Sequence, residues 1–154
     1  MITAVLLFVT AIMLMLAEIF SRKERSLESI SLLDAVVMGF FQLLAIFPGI
    51  SRSGATISGG LSRGLKREAA AKFSFLMSIP IMLAAGLLSV LDLVKVPDVG
   101  SFLPVLSVGF FAALGIGYLS IRWLLGFLKT RSLIPFAVYC AVVSVLTVFI
   151  AYFR

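Results

Sequence analysis

Four stretches of this 154-residue chain run for about 20 residues with little or no charge, the length a helix needs to cross a bilayer. They are Ile2–Phe20, Phe73–Leu91, Val99–Ile121 and Ser132–Phe153. No stretch alternates apolar and polar residues as a transmembrane barrel strand would. Composition agrees. The chain is 62% hydrophobic and 13% charged, with a mean hydropathy of +1.20, against about 45–50% apolar and about 25% charged in soluble domains. We read it as an all-α polytopic membrane protein, one membrane domain over 1–154 with transmembrane segments at 2–20, 68–91, 101–122 and 132–153. The first segment has no basic residues ahead of it and no small-residue cleavage site after it, so it reads as a mature helix, not a leader.

The region between the first two spans behaves differently. Ala35–Phe47 is apolar but reaches only about 20 Å as a helix before Pro48-Gly49 ends it, and Ser53–Leu61 adds roughly 14 Å. Neither piece crosses a hydrocarbon core of about 30 Å. If the region as a whole crossed, basic residues would divide five to seven between the two faces. If it is a re-entrant hairpin over 33–61, the segments 21–31, 62–72 and 122–131 share one face, with ten basic residues against two (Lys95 and Arg154). The positive-inside rule favours the hairpin, with its open side in the cytoplasm. The net charge of +6 is then a matter of orientation and lipid headgroups, and nucleic acid is not an expected partner.

The hairpin turn, Pro48-Gly49-Ile50-Ser51-Arg52-Ser53-Gly54-Ala55-Thr56, is irregular backbone at membrane depth, which needs either burial in protein or a wet cavity. A helix starting at Ser51-Arg52 offers free N–H groups and the positive end of a dipole, and arginine adds a planar charged fork suited to phosphate. Ser51, Ser53 and Thr56 supply hydroxyls. Gly54, Gly59 and Gly60 allow close approach by a ligand or a helix. The same residues also admit structural readings, with Arg52 paired to Glu18 or Asp34, or reaching lipid headgroups, and the serines acting as caps.

Other polar residues have plainer expectations. Glu18 is placed to pair with Arg22 one turn on, with a metal or proton role as the alternative, and Asp34 to cap the hairpin's first helix. Gln42 either bonds across the hairpin or reaches a ligand. Pro80 kinks its span, Trp123 and Tyr152 (near Arg154) anchor at the interface, and Cys140 is a small apolar side chain. The chain has no histidine, which excludes every mechanism in which this chain alone supplies a histidine base, nucleophile or metal ligand. Nucleotide hydrolases of the phosphate-loop type are excluded too, since no Gly-Lys-Ser/Thr run exists.

The run Pro48 to Ile57 resembles the signature of the undecaprenyl-pyrophosphate phosphatase (bacitracin-resistance) family. The resemblance extends to Gln42, to Ala69, Ala70, Phe73, Ser74 and Phe75, and to Ser132-Leu133-Ile134-Pro135-Phe136 and Tyr139. It implies hydrolysis of undecaprenyl pyrophosphate to undecaprenyl phosphate in cell-wall carrier-lipid recycling, at the bacterial plasma membrane. It further implies a fold of two inverted repeats, each with a re-entrant pair, of which this chain resembles the second. By resemblance Arg52 is the catalytic clamp, and Ser51, Ser53, Gly54, Thr56 and Gln42 bind substrate. A divalent cation (Mg or Ca) is implied as well, although no ligand cluster is visible. The family's first repeat carries a glutamate-rich motif and a Ser-Ser-Ser-Gly-His turn that nothing here matches. Glu24 and Glu28 lie in a charged loop, and Cys140 stands where the family tends to have arginine. Three readings follow: an enzyme half needing a complementary repeat (a separate N-terminal half or a homodimer), a non-catalytic phospholipid- or phosphate-binding half-transporter, or a structural membrane subunit. The recycling role implies a site on the outer face, whereas the charge count opens the hairpin to the cytoplasm.

Overall fold

The computed structural model describes residues 2–93, 95 and 99–153; Arg154 lies outside them. Among the described residues six α-helices follow one another: α1 Ile2–Phe20, α2 Leu32–Leu43, α3 Arg52–Ser62, α4 Arg67–Leu93, α5 Val99–Thr130 and α6 Ile134–Tyr152. Short 3-10 turns lie at Leu27–Ser29 and Leu44–Ile46. Among the described residues there is no strand. Four helices are long and apolar enough to cross a membrane: α1, α4, α5 over Gly100–Thr130, and α6. α5 continues eight residues beyond the predicted 122, so Arg122 and Trp123 lie within the helix, where Trp123 stacks on Phe127. Pro80 and Pro104 sit inside α4 and α5, and both helices continue through them.

α1 turns one stripe inward, Ala4, Thr10, Ala11, Leu14 and Glu18. Its small residues let α6 approach closely, and the Ser144 hydroxyl donates to the Ala4 carbonyl at 2.6 Å. α3 is the centre of the molecule. Every residue from Gly54 to Leu61 is buried, and α1, α2 and α4 all pack on it. Glycine makes that crowding sterically feasible. A Cβ at Gly60 would stand 2.8 Å from the Ala70 Cβ, and one at Gly59 would stand 2.9 Å from the Phe41 ring.

The two ends of the α2–α3 hairpin lie together. Ser31 and Asp34 form a reciprocal capping box at the start of α2. Asp34, fully buried, also takes Arg25 at 2.6 Å and Arg63, just beyond α3, at 2.8 Å. Its carboxyl is held below the ordinary carboxylate range chiefly by the Arg25 hydrogen bonds, which outweigh desolvation. Backbone bonds from Arg25 to Gly64 and from Lys66 to Arg25 fasten the same end.

A second carboxylate fixes the neighbouring helices. Glu18, at the end of α1, accepts from Lys23 and from both Nε and a terminal nitrogen of Arg67 at the start of α4. It also takes the Leu133 N–H before α6 at 3.4 Å. The expected partner Arg22 is not used. Glu18 points into the bundle, Arg22 lies exposed, and the backbone turns back at Lys23 (φ 54°) so that the lysine Nζ reaches Glu18. Lys129 approaches Glu68 at 3.7 Å. The basic segments around 21–31, 62–72 and 129–133 thus meet at one end of the bundle.

Asp34→Asn removes the charge between Arg25 and Arg63 and leaves two cations facing a neutral group. We expect the thermal midpoint in detergent to fall by roughly 5 °C or more, with faster protease cleavage between residues 21 and 31. An unchanged midpoint would mean that this clip does not hold the hairpin.

Candidate functional site

From its tied end the hairpin runs to a tip beside the opposite part of α1. Gly49, at φ 112°, lies against the backbone of Thr3, and a Cβ there would fall 2.2 Å from the Thr3 carbonyl oxygen. The Ser51 N–H donates to the Thr10 hydroxyl at 3.1 Å, and Thr10 in turn donates to the Leu6 carbonyl. Thr10 is eight residues from Glu18, about 12 Å along the helix, and Thr3 is about 22 Å away. The tip is therefore far from the basic end.

At the tip Ser51 caps α3, its Oγ accepting from the Gly54 N–H at 3.2 Å and lying 3.4 Å from the Ser53 Oγ. The Ala55 N–H closes on the Ser51 carbonyl. Among the described residues, the N–H groups of Arg52 and Ser53 take no partner, as the first turn of a helix leaves them. Arg52 is half-buried and Ser53 exposed. Neither carboxylate raised as a partner for Arg52 reaches it, because Glu18 is committed to Lys23 and Arg67 and Asp34 to Arg25 and Arg63. Arg52 has no ion pair among the described residues. The arrangement can offer an anion two backbone donors, a guanidinium and the Ser53 hydroxyl.

Two of the expected ligand-binding residues are placed otherwise. Thr56 is fully buried; its hydroxyl lies 2.9 Å from the Arg52 carbonyl and pairs with Ser74 of α4. It fastens α3 to α4 and presents no donor to the turn, because a hydroxyl four residues into a helix bonds back to the preceding carbonyls. Gly54 is buried too, and a Cβ there would stand 2.9 Å from the Thr10 methyl. It is a close-packing position against α1. Gln42 makes no bond across the hairpin, and its Oε1 is buried without a partner.

Sequence reasoning gave no part to Thr10 or Arg67. A signal for Thr10 existed: a hydroxyl within an apolar span faces protein, and Thr10 shares the stripe of Ala11, Leu14 and Glu18. Arg67 gave no comparable signal, being one of several basic residues in a loop region. A divalent cation finds no ready site, since no three His, Cys, Asp or Glu side chains group together among the described residues. The two buried carboxylates are neutralised by cations, so this set does not fit a resident metal.

The fold and the tip define a class: a polytopic all-α membrane protein organised around a buried hairpin helix at whose start an arginine has no ion pair among the described residues. The family model for bacitracin resistance protein BacA matches residues 1–146, and the chain belongs to that family. It is similar to an undecaprenyl-diphosphatase of Synechococcus elongatus, 44% identical over 136 residues, covering 88% of this chain and 47% of that protein. The undecaprenyl-diphosphatase of Corynebacterium glutamicum is 45% identical over 140 residues, with 90% and 47% covered. That of Methanobrevibacter smithii is 43% identical over 143 residues, with 93% and 51% covered. The chain spans about half the length of the curated relatives it matches. Four apolar helices and this family make it a multi-pass plasma-membrane protein.

Proposed function

We propose that this chain is the pyrophosphate-gripping half of an undecaprenyl-diphosphatase, which hydrolyses undecaprenyl pyrophosphate to the monophosphate in carrier-lipid recycling. The observation that carries the reading is the start of α3: among the described residues, a guanidinium without an ion pair and the Arg52 and Ser53 N–H groups without a partner, at the tip of a hairpin whose helices are too short to cross a bilayer. Arg52 holds the pyrophosphate and stabilises charge developing on the phosphoryl oxygens. Ser53 and the Arg52 and Ser53 amides orient it, Gln42 offers a further contact, and Ser51 acts as the cap that shapes the turn. Thr10 is a positioning residue for Ser51.

Phosphoanhydride hydrolysis also requires an oriented water and a proton acceptor. This chain has no histidine, and Glu18 and Asp34 are engaged at the far end of the bundle. The proton acceptor, and the protein ligands of any divalent cation, come from a complementary half. Room for it exists. Most of α5 and the distal part of α4 are exposed, with Phe102, Phe110, Phe111 and Leu114 at half or more of their surface. The hairpin opens at the basic end while its tip lies towards the other, so a cytoplasmic open side and an outward-facing site are compatible.

The test is phosphate release from undecaprenyl pyrophosphate by the purified chain with divalent cation, alone and co-expressed with the N-terminal half of a relative. Release only in the second case, and only with Arg52 intact, is the expected result. Arg52-independent release, or binding without release in both cases, would overturn the assignment.

A further inference from the structure

A groove between α1, α2 and α3 opens at the basic end, away from the tip. Its inner part, about 410 Å³, is walled by Met13, Leu16 and Phe41 and carries three hydroxyls, Ser21, Ser58 and Ser62. It continues through Phe20, Ser21 and Ser62 into an outer part of about 380 Å³ bordered by Arg22, Arg25, Arg63 and Glu24. Two of the hydroxyls have no partner. Ser58, 2% exposed, and the buried Oγ of Ser21 make no hydrogen bond, whereas Ser62 donates to the Gly59 carbonyl. Buried hydroxyls without partners are costly, and both serines line the inner part of the groove.

The charges at the mouth add to this. Arg63 bonds Asp34 through Nε only, leaving its terminal nitrogens without a partner among the described residues. Arg22 is exposed and makes no ion pair among the described residues. The three arginines, set against Glu24 and the Asp34 beneath them, leave one positive charge, which matches a phosphodiester.

We propose that this groove binds an anionic glycerophospholipid. One acyl chain lies along Met13, Leu16 and Phe41. The ester carbonyls accept from Ser58 and Ser21, and the phosphodiester meets Arg22 and Arg63. A polyprenyl phosphate has no acyl ester carbonyl to accept from the hydroxyls, and a free phosphate leaves the apolar wall uncovered. The site is separate from the hairpin tip and stands whether or not the function proposed above holds.

The experiment is native mass spectrometry of the full chain released from detergent after titration with phosphatidylglycerol or phosphatidylcholine. Phosphatidylglycerol is expected to be retained preferentially. Arg22→Gln narrows that preference by roughly fivefold. Ser58→Leu, which fills the inner part, abolishes retention. Leu16→Trp fills it from a half-exposed position and serves as the second variant should Ser58→Leu fail to fold. Equal retention of the two lipids, or wild-type retention by a folded groove-filling variant, overturns the proposal. So does displacement of phosphatidylglycerol by glycerol phosphate (a small-anion site) or by a polyprenyl monophosphate (a prenyl site).

Discussion

Arg52→Lys is expected to lose undecaprenyl pyrophosphate binding almost as completely as Arg52→Ala, by about 100-fold or more in Kd for both. A charge-assisted hydrogen bond contributes about 1.5–3 kcal/mol, and a guanidinium places two of them in one plane. Lysine keeps the charge but offers a single point donor on a flexible stem. The fold gives Arg52 no intramolecular ion pair to lose, so both variants should retain wild-type helix content and thermal midpoint. Binding is read by equilibrium retention of labelled lipid in detergent, with circular dichroism alongside. Full binding by the lysine variant would show that a point charge suffices and would remove the fork from the assignment. Full binding by both variants would move the site away from the hairpin tip.

Gly49→Ala should do comparable damage by a different route. The added Cβ would meet backbone rather than a pliable side chain, 2.2 Å from the Thr3 carbonyl oxygen and 2.9 Å from its carbon. The residue also sits at φ 112°, where an L side chain is strained. Either the tip or the start of α1 must move, and the bond from Ser51 to Thr10 goes with it. We expect the thermal midpoint to drop by roughly 5–10 °C, together with loss of lipid binding. Gly115→Ala, at a glycine with open space around it, should change neither. A Gly49→Ala chain with unaltered midpoint and binding would mean that the turn is not seated on α1.

Much of the helical framework could be read from hydropathy and length, because lipid-facing helices must be long and apolar. The hairpin followed from two facts of the same kind: segments too short to cross and a lopsided distribution of Arg and Lys. What stayed hidden was pairing at a distance. Glu18 finds Arg67, 49 residues on, and Ser51 finds Thr10, 41 residues back; local spacing says nothing of either, and it pointed instead to Arg22. The pairing of Thr56 with Ser74 stayed hidden for a related reason. A helix buried on every side has no polar face against which to judge which hydroxyls look outward, so the motif residues appeared equivalent when only the first turn of α3 is open.

The burial of α3 on all sides also bears on how the protein is assembled. Arg52-Ser-Gly-Ala-Thr-Ile-Ser-Gly-Gly-Leu-Ser62 is far too polar and too short to partition into lipid by itself. We expect it to enter together with its neighbours, packed into the slot that Thr10, Met38 and Ala70 line. The signature sequence is thereby excused from the requirement that governs the rest of the chain, that residues at membrane depth be greasy. Changes within it that would help an ordinary span insert, such as Gly60→Leu, should hinder this one, because the slot was shaped around the absence of a side chain.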